Sequence, residues 1–159
     1  MILDGPVRGT TPPTADARLE RAPLDVASIV ARVAHDGAGG TALFVGTVRA
    51  VHQGRAVVRI DYEAYEPMAL AEMRAVALEV AERHDGTRVA IAHRLGALEV
   101  GEASVAIATS HAHRGPALAA CAEAIDVLKQ RVPIWKREHF ADGTVEWVDP
   151  TAATAGSAR

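Results

Sequence analysis

The sequence predicts an α+β domain whose strands pair mainly antiparallel. Three observations carry that prediction. Paired β-type segments alternate with single helical ones in the order α-β-β-α-β-β-α-β-β, a pattern that lays helices on one face of an antiparallel sheet. The length, 159 residues, suits one domain with room for a small subdomain. Hydrophobic residues make up 49% of the chain but aromatics only 4%, so an ample core must be built from Ala, Val, Leu and Ile.

Residues 1–22 are rich in Pro, Thr, Gly and Arg and lack periodicity, so a flexible N-terminal arm is expected there. Residues 23–149 form the single folded domain, and 150–159, small and polar, a flexible tail. Val26, Ile29, Val30 and Val33 recur at helical spacing and predict a helix over 24–35. The apolar, β-branched run 41–51 is a strand, with Gly46 inside it marking a bulge or a close approach. Gln53-Gly54 is a turn, and 56–65 alternates as a strand with one wet face. Pro67 fits the first turn of a helix reaching about His84, with Met68, Ala71, Ala75, Leu78 and Ala81 as its buried stripe. Strands follow at 88–95 and 103–110, split by a segment bounded by Gly96 and Gly101. Pro116 suits N1 of a third helix running to about Arg131, with Leu118, Cys121, Ala122, Ile125 and Leu128 facing inward. Pro133 forbids its smooth continuation. The segments 134–140 and 144–148 are extended, joined by the turn Asp142-Gly143.

The net charge of −3 excludes a general nucleic-acid binder, which would carry a basic face. One cysteine, Cys121, allows no internal disulfide and lies in an apolar run, as a buried small hydrophobe does. Residues 1–23 lack the apolar core of a signal peptide, and no run reaches the ~20 apolar residues of a membrane span. A cytoplasmic protein is expected.

Two lysines stand against fifteen arginines, and they sit seven residues apart, at Lys129 and Lys136. A chain that meets its general need for charge with Arg keeps Lys where a compact, deprotonatable ammonium is wanted; the plainer alternative is two surface lysines. Lys129 falls in the last turn of the third helix and Lys136 beyond Pro133, so their convergence requires the chain to fold back. Trp135 either pins that segment or is an ordinary core residue. His113-Arg114 precedes Pro116 at a helix start, where free N–H groups and the helix dipole attract anions. Arg49 leaves an apolar strand at its end. His111 and His113 share a strand face, but no third ligand stands at a recognisable spacing, so no metal is expected. Asp61, Glu63 and Glu66 read as a solvated face rather than an acid/base pair. Phosphate-loop, nucleophile-elbow and zinc-helix motifs are absent from the sequence.

Five stretches in order together carry a resemblance: Phe44-Val45-Gly46-Thr47-Val48-Arg49; Tyr62-Glu63-Ala64-Tyr65 with Pro67-Met68-Ala69; His93-Arg94-Leu95-Gly96; Ala112-His113-Arg114; and Leu128-Lys129 through Pro133-Ile134-Trp135-Lys136-Arg137-Glu138. Over about residues 24–148 the chain resembles the large, catalytic subunit of molybdopterin synthase. That resemblance implies a hammerhead-like α/β layer with a small added antiparallel β subdomain. It implies a sulfurtransferase that converts cyclic pyranopterin monophosphate to the molybdopterin dithiolene. Sulfur would come from the C-terminal thiocarboxylate of a small ubiquitin-like subunit, and no permanently bound cofactor is implied. A homodimeric core would carry one small subunit at each end. The implied catalytic residues are Lys129 and Lys136. The implied substrate-binding set adds Thr47, Val48, Arg49, His113, Arg114, Arg137 and Glu138 to those lysines, with His113 and Arg114 serving the neighbouring protomer's lysines.

The chain departs from the family pattern at Thr47, where relatives commonly carry a lysine, at His111, where they carry a serine, and in its longer N-terminal arm. Two other readings stay open: a non-catalytic docking module for a ubiquitin-like partner, and another phosphate-ester enzyme using the His113-Arg114 helix end.

Overall fold

A computed structural model describes residues 14–148. The elements in chain order are β1 (Ala15–Glu20), α1 (Val26–Ala31), β2 (Gly40–Thr47), β3 (Val51–His52), β4 (Arg55–Ala64), α2 (Glu66–Arg83), β5 (Arg88–Arg94), β6 (Gly96–Glu99), β7 (Ala103–His111), α3 (Arg114–Arg131), β8 (Ile134–Phe140) and β9 (Val145–Val148). They build two sheets. The first has the order β1-β5-β7-β2; the second runs β3-β4-β8-β9, with β6 also paired to β4. Every pairing is antiparallel except β1 with β5. The α+β class and the added small β unit are as expected.

The central strands of the first sheet, β5 and β7, are buried on both faces, and period-two alternation divides their side chains between two cores. Val89, Ile91 and Ile107 face α2 and α3, packing with Met73, Val76, Val80, Ala120 and Leu128. Ala90, Ala92, Ala106 and Ala108 face the other way, onto Ile29 of α1 and Val33 just beyond its end. Helices therefore cover both faces, not one. Asp25 caps α1, its carboxylate accepting from the Ser28 N–H at 3.1 Å, a contact worth ~1 kcal/mol. A third, smaller core of Val48, Val57, Ile60, Leu98 and Phe140 holds the second sheet.

Several expectations are corrected. Residues 14–22 were expected in a loose arm, yet β1 forms there and pairs along β5 from Ala15↔Val89 to Glu20↔Arg94. Backbone pairing supplies what side-chain periodicity in this polar segment did not announce. Residues 1–13 and the expected tail lie outside the described residues. In α2 the buried residues are Ala69, Met73, Val76, Ala77, Val80 and Ala81, while Met68 and Leu78 are exposed. In α3 they are Ala117, Ala120, Cys121, Ala124, Ile125 and Leu128, with Leu118 exposed and Ala122 on the solvent side. Both helices carry Ala on several faces, so hydrophobicity alone misplaced the stripe. Helix α3 starts at Arg114 with His113 as N-cap, which puts Pro116 third rather than first; its missing N–H is still among those without a partner in the helix. At the other end Val132 is extended, as Pro133 demands. There Arg131 bonds Glu72 at 2.7 Å and Glu79 at 2.5 Å, tying the end of α3 to α2.

Candidate active site

A cavity of about 400 Å³ opens where the two sheets meet the C-terminal end of α3. Each wall has a separate origin. Phe44, Gly46 and Thr47 of β2 and Ser104 and Val105 of β7 come from the first sheet; Ile125, Leu128 and Lys129 come from α3. The second sheet supplies His52, Ile60, Tyr62, Ile134, Lys136 and Glu138, and Arg49 comes from the chain just after β2. The register of β2 against β7 shifts between Gly46 and Thr47, the irregularity that the strand glycine predicted. Val105 is what approaches Gly46.

The two lysines, separated in sequence by a helix end and a proline, line this one cavity. Lys129 is exposed in the last turn of α3 and makes no ion pair or hydrogen bond among the described residues. Lys136 is paired: its Nζ lies 3.3 Å from Glu138 Oε1. Glu138 is only 2% exposed. Its other oxygen, Oε2, lies 2.5 Å from His52 Nδ1. A carboxylate so buried needs such partners, because desolvating an unpaired charge costs several kcal/mol. Strand alternation puts Lys136 and Glu138 on the inner face of β8 and turns Arg137 outward. Arg137, of the expected substrate-binding set, therefore does not line this cavity: its Nη2 sits 3.0 Å from Asp61 and its guanidinium 5.3 Å from the Trp147 ring centre. Trp135 shares that outer face and is exposed, so it is not a core residue. Val48 does not line the cavity with its side chain either. It lies between Thr47 and Arg49, but its side chain turns away from the cavity into the small core with Val57 and Leu98.

Asp61 is buried, not part of a solvated face. Burial alone would raise its pKa, but hydrogen bonds from His139 and Arg137 and the charge of Arg59 outweigh that and hold it below the usual carboxylate range. That cluster is an ion network on the outer face of β4 and β8.

The floor of the cavity includes three groups to which the sequence reading gave no role: Tyr62, His93 and Ser104. Two of them stood in stretches that carried the family resemblance, which was the available signal. Burial holds the His93 imidazole neutral, with its pKa lowered to about 4. Its Nδ1–H donates to the Arg94 carbonyl at 2.9 Å, and its ring meets Tyr62 edge-on at 5.2 Å. Burial also raises the pKa of the Tyr62 hydroxyl, Ser104 opposes the shift, and the charge on Glu138 adds to it. His52, the fourth omission, had only its place beside the Gln53-Gly54 turn to recommend it.

His113 and Arg114 lie elsewhere. Arg114 packs against Gly40, at the start of β2, while Thr47 lies at its other end, ~23 Å away by strand rise. Along α3, Lys129 is fifteen residues beyond Arg114, or ~22 Å. Within one chain the arginine–imidazole pair cannot share a small ligand with the lysines. The turn that carries it is firmly built. The His111 Nδ1 accepts the His113 N–H, and its Nε2 donates to the Asp85 carbonyl, each at 2.9 Å. The Gly39 N–H donates to the His111 carbonyl at 3.0 Å, and a Cβ at Gly39 would overlap the Ala112 carbonyl oxygen. His111 thus works as a brace for the turn.

The family profile described as MoaE protein matches residues 19–131. The chain belongs to the MoaE family. Among MoaE relatives, the molybdopterin synthase catalytic subunit of Bacillus subtilis (strain 168) is 42% identical over 130 residues, 82% of each chain. The molybdopterin synthase catalytic subunit 1 of Mycobacterium tuberculosis is 42% identical over 131 residues, 82% of this chain and 88% of that one. The crystal structure of molybdopterin synthase from Staphylococcus aureus superposes with a TM-score of 0.79 at 31% identity, covering 86% of this chain and 97% of the other. The MoaE chain described here thus gathers Thr47, Arg49, Lys129, Lys136 and Glu138 at one cavity, and keeps His113 and Arg114 at the far end of the molecule. Among the described residues, no helix is long and apolar enough to cross a membrane.

Proposed function

We propose that this chain acts as the catalytic subunit of a molybdopterin synthase, and that sulfur is transferred in the cavity between its two sheets. The substrate of this reading is cyclic pyranopterin monophosphate. The donor is the C-terminal thiocarboxylate of a small ubiquitin-like subunit, whose tail enters the cavity, and no permanently bound cofactor takes part. One observation carries the proposal: the chain's two lysines, delivered by different elements, face one cavity together with Arg49. Both reactants are anionic. Each transfer passes through a tetrahedral, negatively charged centre and requires protons as ring oxygens leave. Ammonium groups serve both needs, stabilising charge and donating protons.

The two lysines divide this work by their surroundings. Lys129, unpaired among the described residues, is the proton donor of the proposal. Lys136, held by Glu138 at 3.3 Å, presents a fixed charge to the substrate or the tail. Arg49 and Thr47 line the same opening. His113 and Arg114 belong to the reading only if a second copy of the chain brings its turn to the first copy's cavity, so the proposal includes a homodimer that carries one small subunit at each end. A cytoplasmic setting belongs to it as well, in keeping with the buried free thiol of Cys121.

The test is reconstitution of this chain with a thiocarboxylated partner and the precursor, with dithiolene formation measured. The proposal predicts product from the wild type. No product, under conditions where an established synthase works, removes it. The Lys136–Glu138 pair leaves one second reading in play, a docking module whose lysines merely meet acidic groups. Lys129→Arg separates the two. Retained charge preserves partner binding in both readings, while loss of proton chemistry lowers turnover by roughly ten- to ten-thousand-fold only in an enzyme.

A further inference from the structure

Lys136 does not meet Glu138 alone. The buried carboxylate has two oxygens and two partners, Lys136 Nζ on Oε1 at 3.3 Å and His52 Nδ1 on Oε2 at 2.5 Å. His52 reaches this place through a hairpin. β3 and β4 pair as Val51↔Ala56 and His52↔Arg55, and the two linking residues, Gln53 and Gly54, both have positive φ, 49° and 75°. That geometry belongs to the two-residue turn whose twist matches its strands. It sets His52 at the mouth of the cavity, with its side chain 24% exposed while that of Glu138 is 3% exposed.

We propose that His52 is a positioning residue for Lys136, acting through Glu138. The imidazole donates its Nδ1 hydrogen to one carboxylate oxygen and so fixes the plane of the carboxylate. The other oxygen then has one direction in which to receive the ammonium. Lys136 has four rotatable carbons in its stem, and without this fixed acceptor its head would sample the whole opening. Among the described residues, Arg49, Lys129 and the Tyr62 hydroxyl line the same cavity but make no hydrogen bond or ion pair to Glu138, so there the carboxylate is what links His52 to the ammonium. The inference rests on the reading of the cavity as a sulfur-transfer site, and it adds a residue that the family resemblance did not supply.

The chain's scarcity of lysine makes a direct test available. Lysine labelled with 13C at Cε gives two side-chain signals in the whole protein, one from Lys129 and one from Lys136, and Lys129→Arg assigns them. In the resting protein, His52→Ala should move the Lys136 signal and leave that of Lys129 in place. His52→Asn, whose amide nitrogen can occupy the position of Nδ1, should restore the wild-type spectrum. In the dithiolene assay, His52→Ala should lower kcat by about ten- to a hundredfold, the scale of a misplaced reacting group, with KM for the precursor nearly unchanged. His52→Asn should recover most of that loss. The inference is overturned if the Lys136 signal ignores both substitutions, if Asn fails to restore what Ala removes, or if His52→Ala keeps full turnover. If the wild type makes no dithiolene, the functional reading falls and the lysine spectrum alone decides the role of His52.

Discussion

His93 shows how one residue's burial sets a property of the whole protein. Its imidazole is enclosed beside Tyr62 and has a pKa of about 4, against 6.5 for an ordinary histidine. The folded state therefore refuses a proton that the unfolded chain accepts. Below pH ~6.5 the unfolded state binds more protons, so stability falls as pH drops and goes on falling until the folded pKa near 4 is reached. A shift of this size corresponds to at most roughly 3 kcal/mol. Stability contributed by His93 is thus fully present above neutral pH and lost across that acid window. Replacing the group with one that cannot charge should remove its share of the loss. Urea unfolding of His93→Gln at pH 7.5 and pH 5 should give a smaller difference between the two midpoints than the wild type does. Equal differences would mean that folding does not lower the pKa of His93.

Helix α3 and the β3–β4 hairpin set the site's geometry at the scale of elements. The inward face of α3 is almost all small, with Ala117, Ala120 and Ala124 no more than 1% exposed, so its backbone lies close on β2 and β7. Enlarging such a position leaves no space for the added atoms. Ala120→Leu should cost about 1–3 kcal/mol, read as a lower midpoint in chemical denaturation, and should push Lys129 out of register with the cavity. The hairpin has the opposite weakness. Gln53 sits at φ 49°, a conformation that disfavours most side chains by roughly 1–2 kcal/mol. Gln53→Asn should raise stability by about 0.5–1 kcal/mol without changing turnover; a drop in stability would mean that the glutamine side chain is needed. These elements also show what could be read from sequence. Strand β8 was legible to the residue, because Pro133 and the Asp142-Gly143 turn bound it. The convergence of the lysines was legible only as a requirement, since the fold-back needs β4 as the partner of β8 and pairing order is non-local. The stripes of α2 and α3 were not legible, because Ala is compatible with either face of a helix. β1 was hidden for a different reason: a strand at the edge of a parallel pair is held by backbone bonds, and its side chains, alternating Asp16, Arg18 and Glu20 with Ala17 and Leu19, resemble those of a polar arm.

The whole molecule poses a problem that one chain does not solve. The cation cavity lies at one end of α3 and β2, and the braced turn of His113 and Arg114 at the other, ~22 Å away by helix rise. The turn is held by both ring nitrogens of His111 and by the close packing of Gly39, which is more structure than an idle surface loop requires. A two-fold dimer would resolve this by placing each turn at the other chain's cavity, because a symmetric interface creates both sites at once. In that arrangement every site draws its lysines from one chain and its turn from the other. Lys129→Ala and Arg114→Ala should each be inactive alone. Co-expressed with different tags, they form hybrids in which one site combines the intact lysines of one chain with the intact turn of the other, while the second site carries both lesions. Purified hybrids should then regain about half the wild-type rate of dithiolene formation, and a random mixture about a quarter. If His113 and Arg114 act within their own chain or not at all, the hybrids recover nothing beyond the sum of their parents, and the shared site is excluded.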